Sequence, residues 1–184
     1  MTNAFETSRL VAREYELSDA DAAFEIYSDP VVMEFIGPND VTASVAQQRD
    51  KLVAIRAKYG AMGEPFGAFA LVERATGELV GTGLLKPLPD GEGKNTEDIE
   101  IGWHLARRCW GRGFATEIGR ALATRGFDQL PINTLNIVIH PGNVRSVAVA
   151  RRLGATFKCR TTRYYGHELE LFQLERRAAR PESA

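Results

Sequence analysis

Cysteine is scarce in this chain of 184 residues: there are two, Cys109 and Cys159, without Cys-x-x-Cys spacing. A disulfide framework and a cysteine zinc site are therefore excluded. A surplus of either charge is missing too. Lys plus Arg number 23 against 24 for Asp plus Glu, a formal charge of -1, so no global field draws the protein to nucleic acid or to an anionic membrane. Any anion binding has to be local. Long apolar runs are lacking as well, since stretches such as Leu79 to Leu85 are broken by Gly and Thr and fall far short of the roughly 20 residues needed to span a bilayer. The opening Met1-Thr2-Asn3-Ala4-Phe5-Glu6 has no basic region followed by an apolar one. No secretory signal is expected, and the cytoplasm is the default location. His140 and His167 have no partner at metal-ligand spacing, so no metal site is expected.

What remains is an ordinary globular composition, 44% hydrophobic and 26% charged, which rules against collagen-like and disordered chains. No repeat, low-complexity block or composition shift marks a boundary, so residues 1–184 read as one domain. Residues 9–15 read as a strand. Ser18 with Asp21 opens a helix that Pro30 ends, and Ser44 caps a second helix through about Tyr59, stopped by Gly60 and Gly63. Phe66 to Val72 and Glu78 to Leu85 form a hairpin signal, and the turn-rich stretch 87–95 reads as an exposed loop. Between Asp98 and Leu105 the alternation puts Ile99, Ile101, Trp103 and Leu105 on one face, with Glu100, Gly102 and His104 on the other. A helix follows Gly113, with Phe114, Ile118, Ala121 and Leu122 on one side. Thr134 to His140 reads as a buried strand. Asn143 caps a helix that Gly154 closes, two strands near 155–163 and 167–174 follow, and the polar tail from Arg176 reads as frayed.

The stretch Arg108-Cys109-Trp110-Gly111-Arg112-Gly113-Phe114-Ala115-Thr116-Glu117 sets glycines between a strand and a helix N-terminus. Such a turn aims unpaired backbone N–H groups at one point and adds the positive end of a helix dipole, which suits a phosphate. A Cβ at the glycines would hold an anion off the backbone, while Arg108 and Arg112 bring charge. The alternative is a tight turn with solvated arginines. A Walker loop is excluded because no Lys-Ser/Thr pair follows a glycine at the required spacing, and the dinucleotide fingerprint is unsupported because Thr116 stands where its third glycine belongs.

The pattern Arg108-x-x-Gly111-x-Gly113 resembles the phosphate-binding segment of the GNAT acyltransferase superfamily. The runs Ile99 to Ala106, Trp110 to Glu117, Asn143-Val144-Arg145-Ser146 and Arg152-Leu153-Gly154-Ala155 extend the resemblance to the branch of Rim-type N-terminal acetyltransferases of ribosomal proteins, over roughly residues 9–175. Ala155 departs from the Phe of many relatives, with Phe157 two places on. The resemblance implies a mixed α/β fold, with a mostly antiparallel, centrally splayed sheet of about seven strands flanked by helices on both faces. It also implies acetyl transfer from acetyl-CoA, as co-substrate and without a metal, to a primary amine on a protein N-terminus or a small molecule. The rival reading is a non-catalytic acyl-CoA-binding sensor.

Residue by residue, the resemblance puts the coenzyme's pyrophosphate on the amides from Arg108 to Gly113, with Ala115 and Thr116 close by and Arg108 and Arg112 screening its charge. The pantetheine pairs with backbone from Trp103 through His104 to Leu105, as an added strand, and an N–H near Leu105 is aimed at the oxyanion. Asn143 meets the pantetheine and Ser146 lies near the thiol. Glu100 is the first candidate for general base. His104 shares its face, as a relay or a locally bonded ring. Ser146 and Tyr165 compete to be the acid, Tyr165 and Tyr164 having core packing as their other use, and Cys109 reads as a small apolar residue. The acceptor pocket falls to the helices near 18–59, the 87–98 loop and the last hairpin. An exposed apolar surface would allow a homodimer.

Overall fold

Period-two runs of β-branched, aromatic and small residues build the sheet seen in the computed structural model, which describes residues 5–37 and 41–176. Met1 to Ala4 and most of the tail, residues 177–184, lie outside the described residues. The strands are β1 (Phe5–Glu6), β2 (Leu10–Glu14), β3 (Gly67–Glu73), β4 (Leu79–Pro89), β5 (Asn95–Leu105), β6 (Thr134–Ile139), β7 (Thr156–Thr161) and β8 (Leu169–Glu175). They form one eight-stranded sheet in the order β1-β2-β3-β4-β5-β6-β8-β7. Every neighbouring pair is antiparallel except β5 with β6. The sheet of about seven strands expected from the sequence has eight. The addition is β1, whose two residues are too few to show a period, and whose Phe5 packs edge-on against Phe69 at 5.1 Å.

The helices are α1 (Ala20–Tyr27), α2 (Pro30–Met33), α3 (Val45–Met62), α4 (Phe114–Gln129) and α5 (Val144–Leu153). Ser18 falls within a 3₁₀ turn ahead of α1 and does not cap it. Pro30 opens α2 instead of only ending α1: its missing N–H costs nothing in a first turn, and Asp29 Oδ1 accepts from the Val31 N–H at 2.9 Å. α3 begins at the expected Ser44 cap but runs through Gly60, stopping at Gly63 with φ 72°. The supposed 87–95 loop shrinks to a tight turn. Both strands of the hairpin extend into it, and the Asp90 carboxylate accepts from the Glu92 and Lys94 amides at 2.9 Å each. Arg176 is anchored rather than frayed, bonding the carbonyls of Phe127, Leu130 and Ile132.

The two faces of β5 show how the layers lie. A Cβ on Gly119 of α4 would sit 3.3 Å from the Trp103 ring, whereas His104, the next residue, meets Tyr27 of α1. Successive strand side chains point to opposite faces, so α1 and α4 cover opposite sides of the sheet. The strand-to-helix turn is held from outside. Glu117 in the first turn of α4 accepts from Thr7 Oγ1 at 2.6 Å, the Arg9 amide at 2.8 Å and Arg9 Nε at 2.7 Å. Burial alone would raise the Glu117 pKa, but these hydrogen bonds prevail and hold it below the ordinary carboxylate range.

Two predictions follow from this packing. β4 and β5 approach so closely at Gly81 that a Cβ there would stand 2.1 Å from the His104 carbonyl oxygen. Gly81→Ala is expected to cost about 1–3 kcal/mol in denaturant unfolding. Because Glu117 is held below its unfolded pKa, its contribution to stability is complete above about pH 5.5 and is lost as pH falls through the ordinary glutamate range and below. Wild type should therefore lose more stability than Glu117→Gln between pH 7 and pH 3.5, with the variant already weaker at pH 7.

Candidate functional site

β5 and β6 are paired at one register position, Glu100 opposite Asn136. Asn136 zips that end shut: its Nδ2 donates to the Ile99 carbonyl at 3.2 Å and its Oδ1 accepts from Gln173 Nε2 at 3.1 Å. Beyond this point the strands part around a cavity of about 1120 Å³, lined by Ile101 to Leu105 on one side and Ile137 to His140 on the other. The direction of the β5 backbone groups follows from the ladder. The Ala106 N–H donates to Val80 on the β4 side at 2.9 Å, and backbone groups alternate along a strand. Those of Trp103 and Leu105 therefore face the gap, and the Leu105 carbonyl is held there by Trp110 Nε1 at 2.9 Å.

One end of the cavity is the glycine-rich turn. Gly111 and Gly113 take φ 76° and 83°, values open to glycine at little cost. Gly113 is the residue that caps α4 and brings no side chain to its first amides, so those N–H groups point outward. Gly111, Gly113, Phe114, Ala115 and Thr116 all line the cavity. Arg108 and Arg112 do not, contrary to the expectation that they screen a phosphate. Arg108 Nη2 donates to the Leu79 carbonyl at 3.1 Å, and Arg112 is paired with the buried Glu73 while lying over the Phe114 ring at 4.6 Å. The arginines that do line the cavity are Arg145 and Arg152 of α5, with Arg145 4.5 Å from the Trp110 ring centroid. Asn143 caps α5, its Oδ1 accepting from the Ser146 N–H at 3.1 Å, and both residues line the cavity.

At the closed end lies a buried ionic cluster. Glu100 is 4% exposed and its Oε1 is 2.6 Å from the ammonium of Lys86, which is 9% exposed. Tyr165 donates to the same oxygen and accepts from Lys86 at 2.6 Å. No described group bonds Glu100 Oε2, and no buried side-chain oxygen in the described residues is left unpartnered, so Oε2 opens to the cavity. Tyr165 is held in the left-handed region at φ 58°, followed by Gly166 at φ 74°, on the β7–β8 connection; its hydroxyl reaches Glu100 while the residue as a whole stays 37% exposed. Burial first, and the Glu100 charge second, push its phenol well above the ordinary range, so it stays protonated. Tyr164 takes the other use and packs with Leu88, Leu169 and Leu171.

His104 is reached by a chain of hydroxyls: Tyr15 meets Thr82 at 2.6 Å, Thr82 meets Tyr27, and Tyr27 meets His104 Nδ1 at 3.3 Å. Desolvation, and then the Lys86 charge, lower its pKa to about 4. Cys109 is buried beneath the turn. Lys86 escaped the sequence reading although a lone lysine inside the apolar run of β4 was a visible signal. Thr82, Tyr27 and Lys51 carried none. The 87–98 residues placed at the acceptor pocket do not line the cavity. Among the described residues no helix is long and apolar enough to cross a membrane, and no three His, Cys, Asp or Glu side chains converge as a metal site.

This geometry has relatives. The family model for the acetyltransferase (GNAT) domain matches residues 9–156. The uncharacterized N-acetyltransferase p20 of Bacillus licheniformis is 31% identical over 147 residues, covering 80% of this chain and 79% of its own. Among solved structures, a GNAT-family acetyltransferase from Bacillus anthracis superposes with a TM-score of 0.75 at 19% identity, over 94% of this chain and 98% of that one. RimL, a ribosomal L7/L12 alpha-N-protein acetyltransferase solved in complex with coenzyme A, does so with a TM-score of 0.74 at 16% identity, over 94% and 97%. The chain belongs to the GNAT acetyltransferase family and is an acetyl-CoA-dependent N-acyltransferase.

Proposed function

We propose that the chain transfers the acetyl group of acetyl-CoA to a primary amine by direct attack in a ternary complex. The observation that carries this reading is the open Oε2 of Glu100 at the point where β5 and β6 part. The rest of the cavity suits the coenzyme. Uncapped amides of Phe114, Ala115 and Thr116 with Gly111 and Gly113 take the pyrophosphate, now with Arg145 and Arg152 as the cations within reach instead of Arg108 and Arg112. The gap-facing backbone of Trp103 and Leu105 takes the pantetheine as an added strand, and the Leu105 N–H is the donor for the carbonyl oxygen as negative charge develops there. Asn143 and Ser146 border the same channel.

In the reaction an amine nitrogen attacks the thioester carbonyl carbon, a C–N bond forms and the C–S bond breaks. Glu100 Oε2 takes the proton that the nitrogen sheds. Oε1 is already occupied by Lys86 and Tyr165, which aims the second oxygen into the cavity. Once Glu100 holds that proton its charge no longer holds up the Tyr165 phenol, which is then the donor to the departing thiolate, with Lys86 bonded to its oxygen and the Glu100 proton replacing the one given up. Ser146 is the competing donor. His104 stays neutral above about pH 5 given its lowered pKa of about 4 and serves as a fixed hydrogen-bonding wall.

Glu100→Gln is expected to lower kcat by about 10²–10⁴-fold, while acetyl-CoA binding measured by calorimetry is retained. Binding by a wild type that turns over no amine would favour the sensor reading instead. Tyr165→Phe and Ser146→Ala separate the two acids. In steady-state assays the tyrosine variant should lose at least about tenfold in kcat, with the KM for acetyl-CoA unmoved, and the serine variant less; the reverse order would assign the proton to Ser146.

A further inference from the structure

The acceptor side of the cavity carries a charge pattern and a wall of rings that together select among amines. Glu100 is the one carboxylate among the described residues lining the cavity, and Lys86 already neutralises it. Lys51 of α3 also lines the cavity, half-buried, its ammonium donating to Thr42 Oγ1 at 2.9 Å and pairing with no described carboxylate. Two turns further along the same helix face, Lys58 is held below the ordinary lysine range by burial first and the Lys86 charge second, a sign of like charge nearby. The acidic residues that might have served a polycation are used elsewhere. Asp90 closes its own turn, and Asp98 holds Tyr164 and Arg163 at 2.9 and 2.8 Å.

Leading away from Glu100 is a ladder of rings. Tyr165, which bonds Glu100, lies 6.3 Å from His167; His167 lies 5.5 Å from His140, and His140 lies 6.2 Å from Phe35. All four line the cavity and come from three separate parts of the chain, α2's end, β6's end and the β7–β8 connection. Tilted rings at these separations offer π-faces and edges to a flat partner. Resting on the proposed acetyl transfer, we infer that the acceptor is an amine with a single positive charge on a flat, apolar frame, its nitrogen at Glu100 Oε2 and its frame along the Tyr165–His167–His140–Phe35 ladder. Polyamines and other polycations are disfavoured at Lys51, because a second ammonium there meets like charge and the described residues lining the cavity offer no carboxylate besides Glu100, which Lys86 already pairs.

The test uses the full chain, acetyl-CoA and three probes, 2-phenylethylamine, hexylamine and spermidine, with thiol release as the readout. The expected kcat/KM for 2-phenylethylamine exceeds that for each of the others by at least about tenfold. His167→Ala and His140→Ala should each raise the KM for 2-phenylethylamine severalfold while the KM for acetyl-CoA, which also reports folding, stays put. Lys51→Glu should raise kcat/KM for spermidine. Spermidine or hexylamine matching 2-phenylethylamine in wild type, or no KM response to either histidine substitution, would overturn the inference. A mass-spectrometric screen of a mixed pool of aromatic amines, aliphatic amines, polyamines and peptides with labelled acetyl-CoA separates the two levels. Label confined to polyamines or aliphatic amines overturns the acceptor class and leaves acetyl transfer standing, label on aromatic amines supports both, and label on nothing removes both.

Discussion

The parting of β5 from β6 is the constraint on which the rest depends. A parallel pair would ordinarily continue its ladder, and a buried backbone group left without a partner costs about 1–3 kcal/mol. Here the ladder is given up after Glu100 and Asn136, and the side-chain amide of Asn136 takes the position of the last rung. The backbone of Trp103 and Leu105 thus faces the cavity instead of a neighbouring strand. The glycine turn that follows β5 directly, and the uncapped start of α4 behind it, extend the same row of donors. One strand end, one turn and one helix therefore make a continuous surface along the cavity, and on the proposed reading an extended, anionic coenzyme lies along it.

That end point coincides with the most costly group in the interior. A carboxylate 4% exposed survives because Lys86 and Tyr165 meet it at once, and breaking a buried pair of this kind costs on the order of 3–5 kcal/mol. The interaction that makes the charge tolerable also orients it, since Oε1 takes both partners and Oε2 is left without one among the described residues. Structural and chemical demands are divided in the opposite way at the turn. Arg112 there is drawn to Glu73 and Arg108 to the Leu79 carbonyl, both away from the cavity, whereas Arg145 and Arg152 of α5 line it.

Much of this was legible in local patterns. The alternation over 98–105, the glycines at 111 and 113, the cap at Asn143 and the closing Gly154 each reflect backbone geometry set within a few residues, and each element lies where the pattern put it. Boundaries failed where a competing local effect prevailed. Pro30 began a helical turn, Gly60 was carried inside α3 by its neighbours, and the Asp90 turn let two strands run on through a stretch rich in turn formers. β1 was too short to have a period at all.

From the sequence alone came the order of elements, the glycine-rich turn ahead of α4 and a carboxylate on β5 beside the gap, because strand and helix periods and left-handed glycines are properties of neighbouring residues. Only the tertiary structure decided which arginines face the cavity, that Lys86 and Tyr165 share one oxygen of Glu100, and that Phe35, His140 and His167 meet. Those contacts join residues dozens of positions apart, and their geometry is set by how the sheet opens and how its helices pack, which no short-range pattern encodes.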